Sequence, residues 1–311
     1  MAIPEPSSTG MLDFRGWRTW YRITGNLDGA GPPLVVLHGG PGATHDYTLR
    51  IAGLARPGRA VIHYDQLGNG NSTHLPDKGA DFWNVQLFLD ELDNVLDALG
   101  IADRYHLLGQ SWGGMLAAEH AVRRPPGLAR LVIADSPASI ALWRSEATRL
   151  REMLPPEVQD TLGKHEEAGT TDHPDYHAAE RVYNDRHVCR VVPNPPEVVR
   201  TFEAIQADPT VYHTMNGPNE FYVVGTLRDW TIVDRVYRIA VPTLLVSGRY
   251  DEATEATVEP FASGIPDVRW EIFENSSHMP HVEEEEAFLR TVGGFLDQNR
   301  PDQDRSRTHG P

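Results

Sequence analysis

The sequence predicts an α/β fold in which a mostly parallel central sheet is interrupted by a helical insertion. Three observations carry that prediction. Short apolar runs alternate with helical patterns, each run ends at Gly or Asp, and the strand signal vanishes between about Pro137 and Ile232. Strands covered by helices on both faces read as unbroken apolar runs rather than as alternation.

The elements follow in order. Gly16 to Ile23 partly alternates, as an antiparallel edge strand does. Leu34 to Leu37 is the first central strand and runs into His38-Gly39-Gly40-Pro41-Gly42. Ala60 to Tyr64 is the next, followed by Asp65-Gln66-Leu67-Gly68-Asn69-Gly70. Phe82 to Leu99 sets Val85, Phe88, Leu89, Leu92, Leu96 and Leu99 three and four apart, the spacing of a helix with one buried face. Arg104 to Leu108 ends in Gly109, Arg130 to Ala134 ends in Asp135, and Pro242 to Val246 ends in Ser247-Gly248. Turn chemistry therefore collects at the C-terminal ends of the strands, where open α/β sheets place their ligands. Residues 137–232 read helical and polar, broken by Pro155, Pro156, Pro174, Pro193, Pro195 and Pro196. The expected organisation is a core of residues 1–136 and 233–311 with a helical cap, 137–232. The acidic run Glu283 to Glu286 reads as the solvated start of a last helix, where negative charge suits the macrodipole. The polar tail, Arg300 to Pro311, is expected to fray.

With 311 residues, 40% hydrophobic and 23% charged, the chain has ample core for one or two domains. A single cysteine, Cys189, excludes a disulfide framework and reads as a packing thiol of the cap rather than a nucleophile. No apolar run approaches the roughly 18 residues of a membrane span. Met1 to Gly10 lacks the basic and apolar regions of a secretory signal, so the expected location is the cytoplasm. A formal charge of −16 disfavours nucleic acid and anionic membrane as partners, since both are bound through Lys and Arg.

Gly109-Gln110-Ser111-Trp112-Gly113-Gly114 is a GxSxG motif between a predicted strand and a predicted helix. A strand that turns sharply into a helix crowds the neighbours of its central residue. Small residues two before and two after relieve that crowding and expose the serine hydroxyl. A serine nucleophile needs a base, and the base an orienting carboxylate, in the chain order Ser, acid, His. Asp251 and His278 fill those places, in loops after strands; Asp135 and His281 are the rivals for acid and base. The oxyanion of a tetrahedral intermediate needs two backbone N–H groups already aimed at it. The expected donors are Trp112, directly after the nucleophile, and Gly40 in the Gly-rich loop after the first central strand. Neither GxxxxGK[ST] nor GxGxxG occurs, so that loop is not read as a phosphate cradle. The absence of HExxH and of convincingly paired histidines leads to the expectation that no metal or organic cofactor takes part.

HGGPG, DQLGNGNS (Asp65 to Ser72), GQSWGG, GRYDE (Gly248 to Glu252) and SSH (Ser276 to His278) together resemble the proline iminopeptidase family of α/β-hydrolases. The likeness runs from about Trp17 to the last helix, and the segment Met215 to Phe221, MNGPNEF, looks like the tricorn-interacting aminopeptidase and related L-amino-acid amidases. DQLG stands here where the family usually has DQRG, which favours that branch over strictly prolyl enzymes. The resemblance implies a helical cap over the serine and two carboxylates that hold the free amino group of the substrate, carried over here to Glu220 and Glu252. The chemistry is sound on its own terms, because an ammonium taken into a cleft needs a paired negative charge. The bland alternatives are a solvated or helix-capping Glu220 and a surface Glu252.

Four activities compete. The leading expectation is a serine aminopeptidase that releases an N-terminal residue, proline among the candidates, from small peptides through an acyl-enzyme. An L-amino-acid amide or ester hydrolase needs the same triad and clamp. An epoxide hydrolase or dehalogenase needs an aspartate where Ser111 stands. A catalytically inactive binding protein on the same fold leaves the filled triad without a purpose.

Overall fold

The computed structural model describes residues 2–298, and the tail expected to fray, Arg300 to Pro311, lies outside them. Its strands, among the described residues, are β1 (Ser8–Phe14), β2 (Trp17–Thr24), β3 (Leu34–Leu37), β4 (Val61–Tyr64), β5 (Tyr105–Gln110), β6 (Leu128–Ala134), β7 (Thr243–Gly248) and β8 (Val268–Phe273). They form one sheet in the order β1-β2-β4-β3-β5-β6-β7-β8. β2 is antiparallel to both of its neighbours, and from β4 to β8 every pairing is parallel.

The unbroken apolar strands are explained by their two faces. In β3, Val35 and Leu37 pack into one core while Leu34 and Val36 pack into the other. The first core is closed by α1 (Val85–Ala98) and α2 (Trp112–Val122), through Phe88, Leu92, Leu116 and Ala117. Asn84 caps α1 by accepting from the Leu87 amide at 3.0 Å.

Two strands depart from the expectation. The predicted edge strand, β2, is covered by β1, and β8 closes the opposite edge. β1 is exposed along much of its length, and β8 is half-buried with Arg269 and Glu271 in it, so neither presents the apolar run of a buried strand.

Between β6 and β7 the chain forms α3 (Ile140–Glu152), α4 (Pro156–Ala168), α5 (Pro174–His187), α6 (Pro196–Ala207) and α7 (Thr210–Met215). Three of the prolines in this stretch are helix starts rather than breaks. Pro156, Pro174 and Pro196 each occupy a first helical position, where the missing N–H has no intrahelical acceptor to lose. Leu150, Leu162, Tyr176, Tyr183 and Val198 of these helices share a third core with Tyr47, Met279 and Val282, which seats them over the C-terminal edge of the sheet. After β7 follow α8 (Glu255–Gly264), α9 (Pro280–Glu283) and α10 (Glu285–Leu296); Phe288, Val292 and Phe295 of α10 help close the second core.

The acidic run before α10 is not solvated as expected. Glu283 accepts from Ser277 N (2.6 Å), Ser277 Oγ (2.8 Å) and Arg190 N (2.6 Å). Glu284 accepts from Ser276 Oγ (2.7 Å), and Glu285 pairs with Arg50 at 2.6 Å, which leaves only Glu286 exposed. Backbone donors in the turn before α9 recruit these side chains.

Candidate active site

Ser111 stands where β5 turns into α2, with φ of +56°, a region that L-residues rarely adopt. The surrounding glycines show why the turn needs them. A Cβ on Gly109 would strike the Gly113 carbonyl, one on Gly113 would strike the Leu37 carbonyl, and one on Gly114 would lie 2.6 Å from Ser136 Cβ. With hydrogen at those positions α2 starts directly behind the strand and its first turn points at the cavity.

His278 follows β8, and its Nδ1 lies 2.7 Å from Asp251 Oδ1. The Ala253 amide donates to the same oxygen at 2.8 Å. Asp251 is buried after β7, and Ser111 and His278 line one cavity. They share it without a hydrogen bond between them, as nucleophile and base often do before substrate tightens the geometry. Burial alone would lower the His278 pKa, but Asp251 first, then Glu220 and Glu283, raise it above its ordinary value. Neither rival is bonded as the triad requires. His281 Nε2 is 3.0 Å from the Tyr47 carbonyl, and burial lowers its pKa to about 3, so it is a neutral structural group. Asp135 is fully buried beside Asp251 and makes no bond to His278.

A hydrogen-bonded chain with no signal in the sequence ties these loops together. The Gly39 amide donates to the Tyr47 hydroxyl at 2.7 Å, that hydroxyl donates to Gln110 Oε1, and Gln110 Nε2 donates to the His278 carbonyl at 2.7 Å. Burial raises the Tyr47 pKa and keeps it a donor. The Gly39 amide is therefore committed, and the expected oxyanion donors remain Gly40, φ +108°, on the cavity wall, and Trp112, whose N–H at the first position of α2 has no acceptor within the helix.

The two carboxylates singled out by resemblance come together at this site. Glu220 lies on the cavity wall in the loop after α7, with Oε1 2.7 Å from the Tyr212 hydroxyl and its carbonyl accepting from Trp143 Nε1 at 2.7 Å. Glu252 is 1% exposed, and its Oε1 is 3.8 Å from His278 Nε2. Neither Glu252 oxygen has a partner in hydrogen-bond geometry, although the buried Tyr183 hydroxyl faces it. Burial raises the pKa of both groups; for Glu252, the neighbouring Glu220 and Asp251 push it well above the usual range. Among the described residues no Lys or Arg lines the cavity, and Ala43, Val188, Val198, Phe202, Ile205 and Met279 give it an apolar wall. Cys189 is buried in the third core, and burial pushes its thiol up to about 12, so it is a packing residue.

The profile of the alpha/beta hydrolase fold matches residues 32–285. The chain is 38% identical over 292 residues to a proline iminopeptidase of Clostridium botulinum, an alignment that covers 93% of this chain and 98% of that one. Among solved structures it is similar to VinJ, at 58% identity and a TM-score of 0.93, covering 94% of this chain and 99% of the other. It is also similar to the proline iminopeptidase of Mycobacterium smegmatis, at 52% identity and a TM-score of 0.86, covering 93% and 97%.

Proposed function

The chain belongs to the proline iminopeptidase family of α/β-hydrolases and is a serine aminopeptidase, and we propose that it releases an N-terminal residue, proline included, from small peptides by a Ser111–His278–Asp251 triad. Ser111 Oγ attacks the carbonyl of the first residue while His278 Nε2 takes its proton. Asp251 holds the other ring nitrogen and stabilises the imidazolium. The Gly40 and Trp112 amides receive the oxyanion. Collapse expels the leaving amine, which takes the proton from His278, and water releases the acyl-enzyme by the same steps in reverse.

What carries the choice of a free N-terminus is Glu252, buried with neither oxygen in hydrogen-bond geometry with a partner, next to Glu220 on a cavity that no Lys or Arg lines among the described residues. A buried carboxylate pair without its own cation is an incomplete site, and an α-ammonium completes it. The helical segment 137–232 serves as the cap that supplies Glu220 and the apolar wall. With an anionic chain and one buried cysteine, the fitting setting is a reducing cytoplasm and a small peptide or amino-acid amide partner, not nucleic acid or membrane. No helix is long and apolar enough to cross a membrane among the described residues. The test is a panel of aminoacyl-naphthylamides, amino-acid amides and N-acetylated controls; turnover of the N-acetyl compounds as fast as their free-amine counterparts would overturn the assignment.

A further inference from the structure

One carboxyl group at the site has no part in the steps above. Asp135 follows β6 directly, with its amide bound to the Val246 carbonyl at 2.8 Å and φ of +50°. It is 0% exposed, and neither of its oxygens has a partner in ideal hydrogen-bond geometry, although the Gly248 amide and the Asp251 carboxyl face it. Asp251 shows the complementary defect. Its Oδ1 takes two donors, His278 Nδ1 and the Ala253 amide, while its Oδ2 has none.

Two buried carboxyl groups that face each other, each with an unpaired oxygen, are the two halves of one hydrogen bond. Carboxylates are acceptors only, so the bond exists only if one of them is a carboxylic acid. Asp251 carries the charge, because it faces His278 and already accepts two N–H bonds. The acid is then Asp135. Resting on the reading of Asp251 as the triad acid, we propose that Asp135 is a positioning residue, a neutral carboxylic acid that donates to Asp251 Oδ2 and fixes the orienting carboxylate from behind. The charged groups that act on Asp135 are Asp251 and, on α9, Glu283, both negative; with burial as the largest cause they hold it well above the carboxylate range. Like charges in a shared buried site do not both ionise.

The functional consequence is a triad acid held at both oxygens. Without the donor, the Asp251 carboxylate loses its fixed orientation about the Oδ1 bond to His278, while its charge, no longer shared with a second partner, stabilises the imidazolium more strongly.

The experiment compares Asp135→Asn, whose amide can donate in the same volume, with Asp135→Gly, which removes the group and tolerates the positive φ. Asp135→Asn is expected within about threefold of wild type, and Asp135→Gly to lower kcat about 10- to 100-fold with KM within about twofold, the loss of one hydrogen bond to a charged group. The acidic limb of kcat/KM should move to higher pH in Asp135→Gly and stay put in Asp135→Asn. Independently of folding or kinetics, infrared difference spectra of wild type against Asp135→Asn at neutral pH should contain a protonated-carboxyl C=O band. Absence of that band, an Asp135→Gly enzyme with unchanged kcat and pH limb, or an Asp135→Asn enzyme as impaired as Asp135→Gly would each overturn the proposal. Asp251→Asn is the separate control. If it kept wild-type turnover, the acid assignment would fall whatever the infrared band showed.

Discussion

Replacing the substrate's free amine by its N-acetyl derivative separates an aminopeptidase from a generic esterase, and the structure supplies the magnitude. Glu252 is 1% exposed with no donor in hydrogen-bond geometry on either oxygen, and Glu220 has one, the Tyr212 hydroxyl at 2.7 Å. An ammonium between them converts two crowded carboxyls into a charge-balanced group. Acetylation removes the cation, and breaking one side of a buried pair costs about 3–5 kcal/mol. Part of that cost is relieved because Glu252, already pushed up by burial and by Glu220, takes a proton instead of standing charged. Taking the lower end, and about tenfold in rate for each 1.36 kcal/mol, kcat/KM should fall by more than about 100-fold. Glu220→Gln and Glu252→Gln should each depress turnover of the free-amine substrate and barely change that of a simple acyl ester. The assay is kcat/KM for matched free and N-acetyl substrates in wild type and both variants. Equal rates on the two substrates would refute the clamp and leave an unspecified serine hydrolase.

Ser111→Ala, Asp251→Asn and His278→Ala should each lose on the order of 10³-fold or more in kcat while keeping the wild-type circular dichroism spectrum. Because His278 must be neutral to accept the Ser111 proton and its pKa is raised by Asp251, Glu220 and Glu283, kcat/KM should rise with pH through a midpoint above about 6.5; a midpoint clearly below that contradicts the electrostatics. Glu252 is a carboxyl whose folded pKa lies above its unfolded one, so the stability it takes away grows as pH rises above about 4.5; Glu252→Gln should therefore raise Tm at pH 8 by about 2–4 °C, and by less at pH 5, in thermal melts of both proteins. Activity should survive EDTA and vanish with a serine-directed phosphonate, and a loss on chelation restored by zinc or manganese would contradict the metal-free triad.

The inner strands were readable because burial on both faces forces an unbroken apolar run, as Leu34 to Leu37 and Thr243 to Val246 show. β1 and β8 escaped because an edge strand keeps polar residues where solvent reaches it, and Arg269 and Glu271 hide β8 among loop-like sequence. The nucleophile elbow was legible for the same local reason that makes it work: three glycines within two or three residues of Ser111 answer one crowded turn. Contacts made across the fold left no such trace. Tyr47 and Gln110 are 63 residues apart, and Gln110 and His278 are 168 apart, so the chain that ties the oxyanion loop to the base loop has no sequence period to betray it. Glu283 looked solvated because a run of four glutamates usually is; only the fold brings the Ser277 and Arg190 amides to it. Glu220 came through resemblance alone, since the tilt of the cap helices decides whether it meets Glu252.

The site gathers Asp135, Asp251, Glu220 and Glu252 around a single base, His278, and this imbalance explains more than specificity. Burial holds up the pKa of Asp135, Glu220 and Glu252, and like-charged neighbours push Asp135 and Glu252 higher still. One of those acids, Asp135, has its counterpart inside the protein and remains neutral throughout the cycle. The other, Glu252, has none and ionises when the ammonium arrives. The same crowding that makes a free N-terminus welcome makes the folded site less stable than a neutral one would be, which is the ordinary relation between a poised site and the stability of its fold. Selectivity then follows without a donor dedicated to the substrate amine. A neutral amide offers the pair nothing to balance, and a positively charged amine offers what the fold has left out.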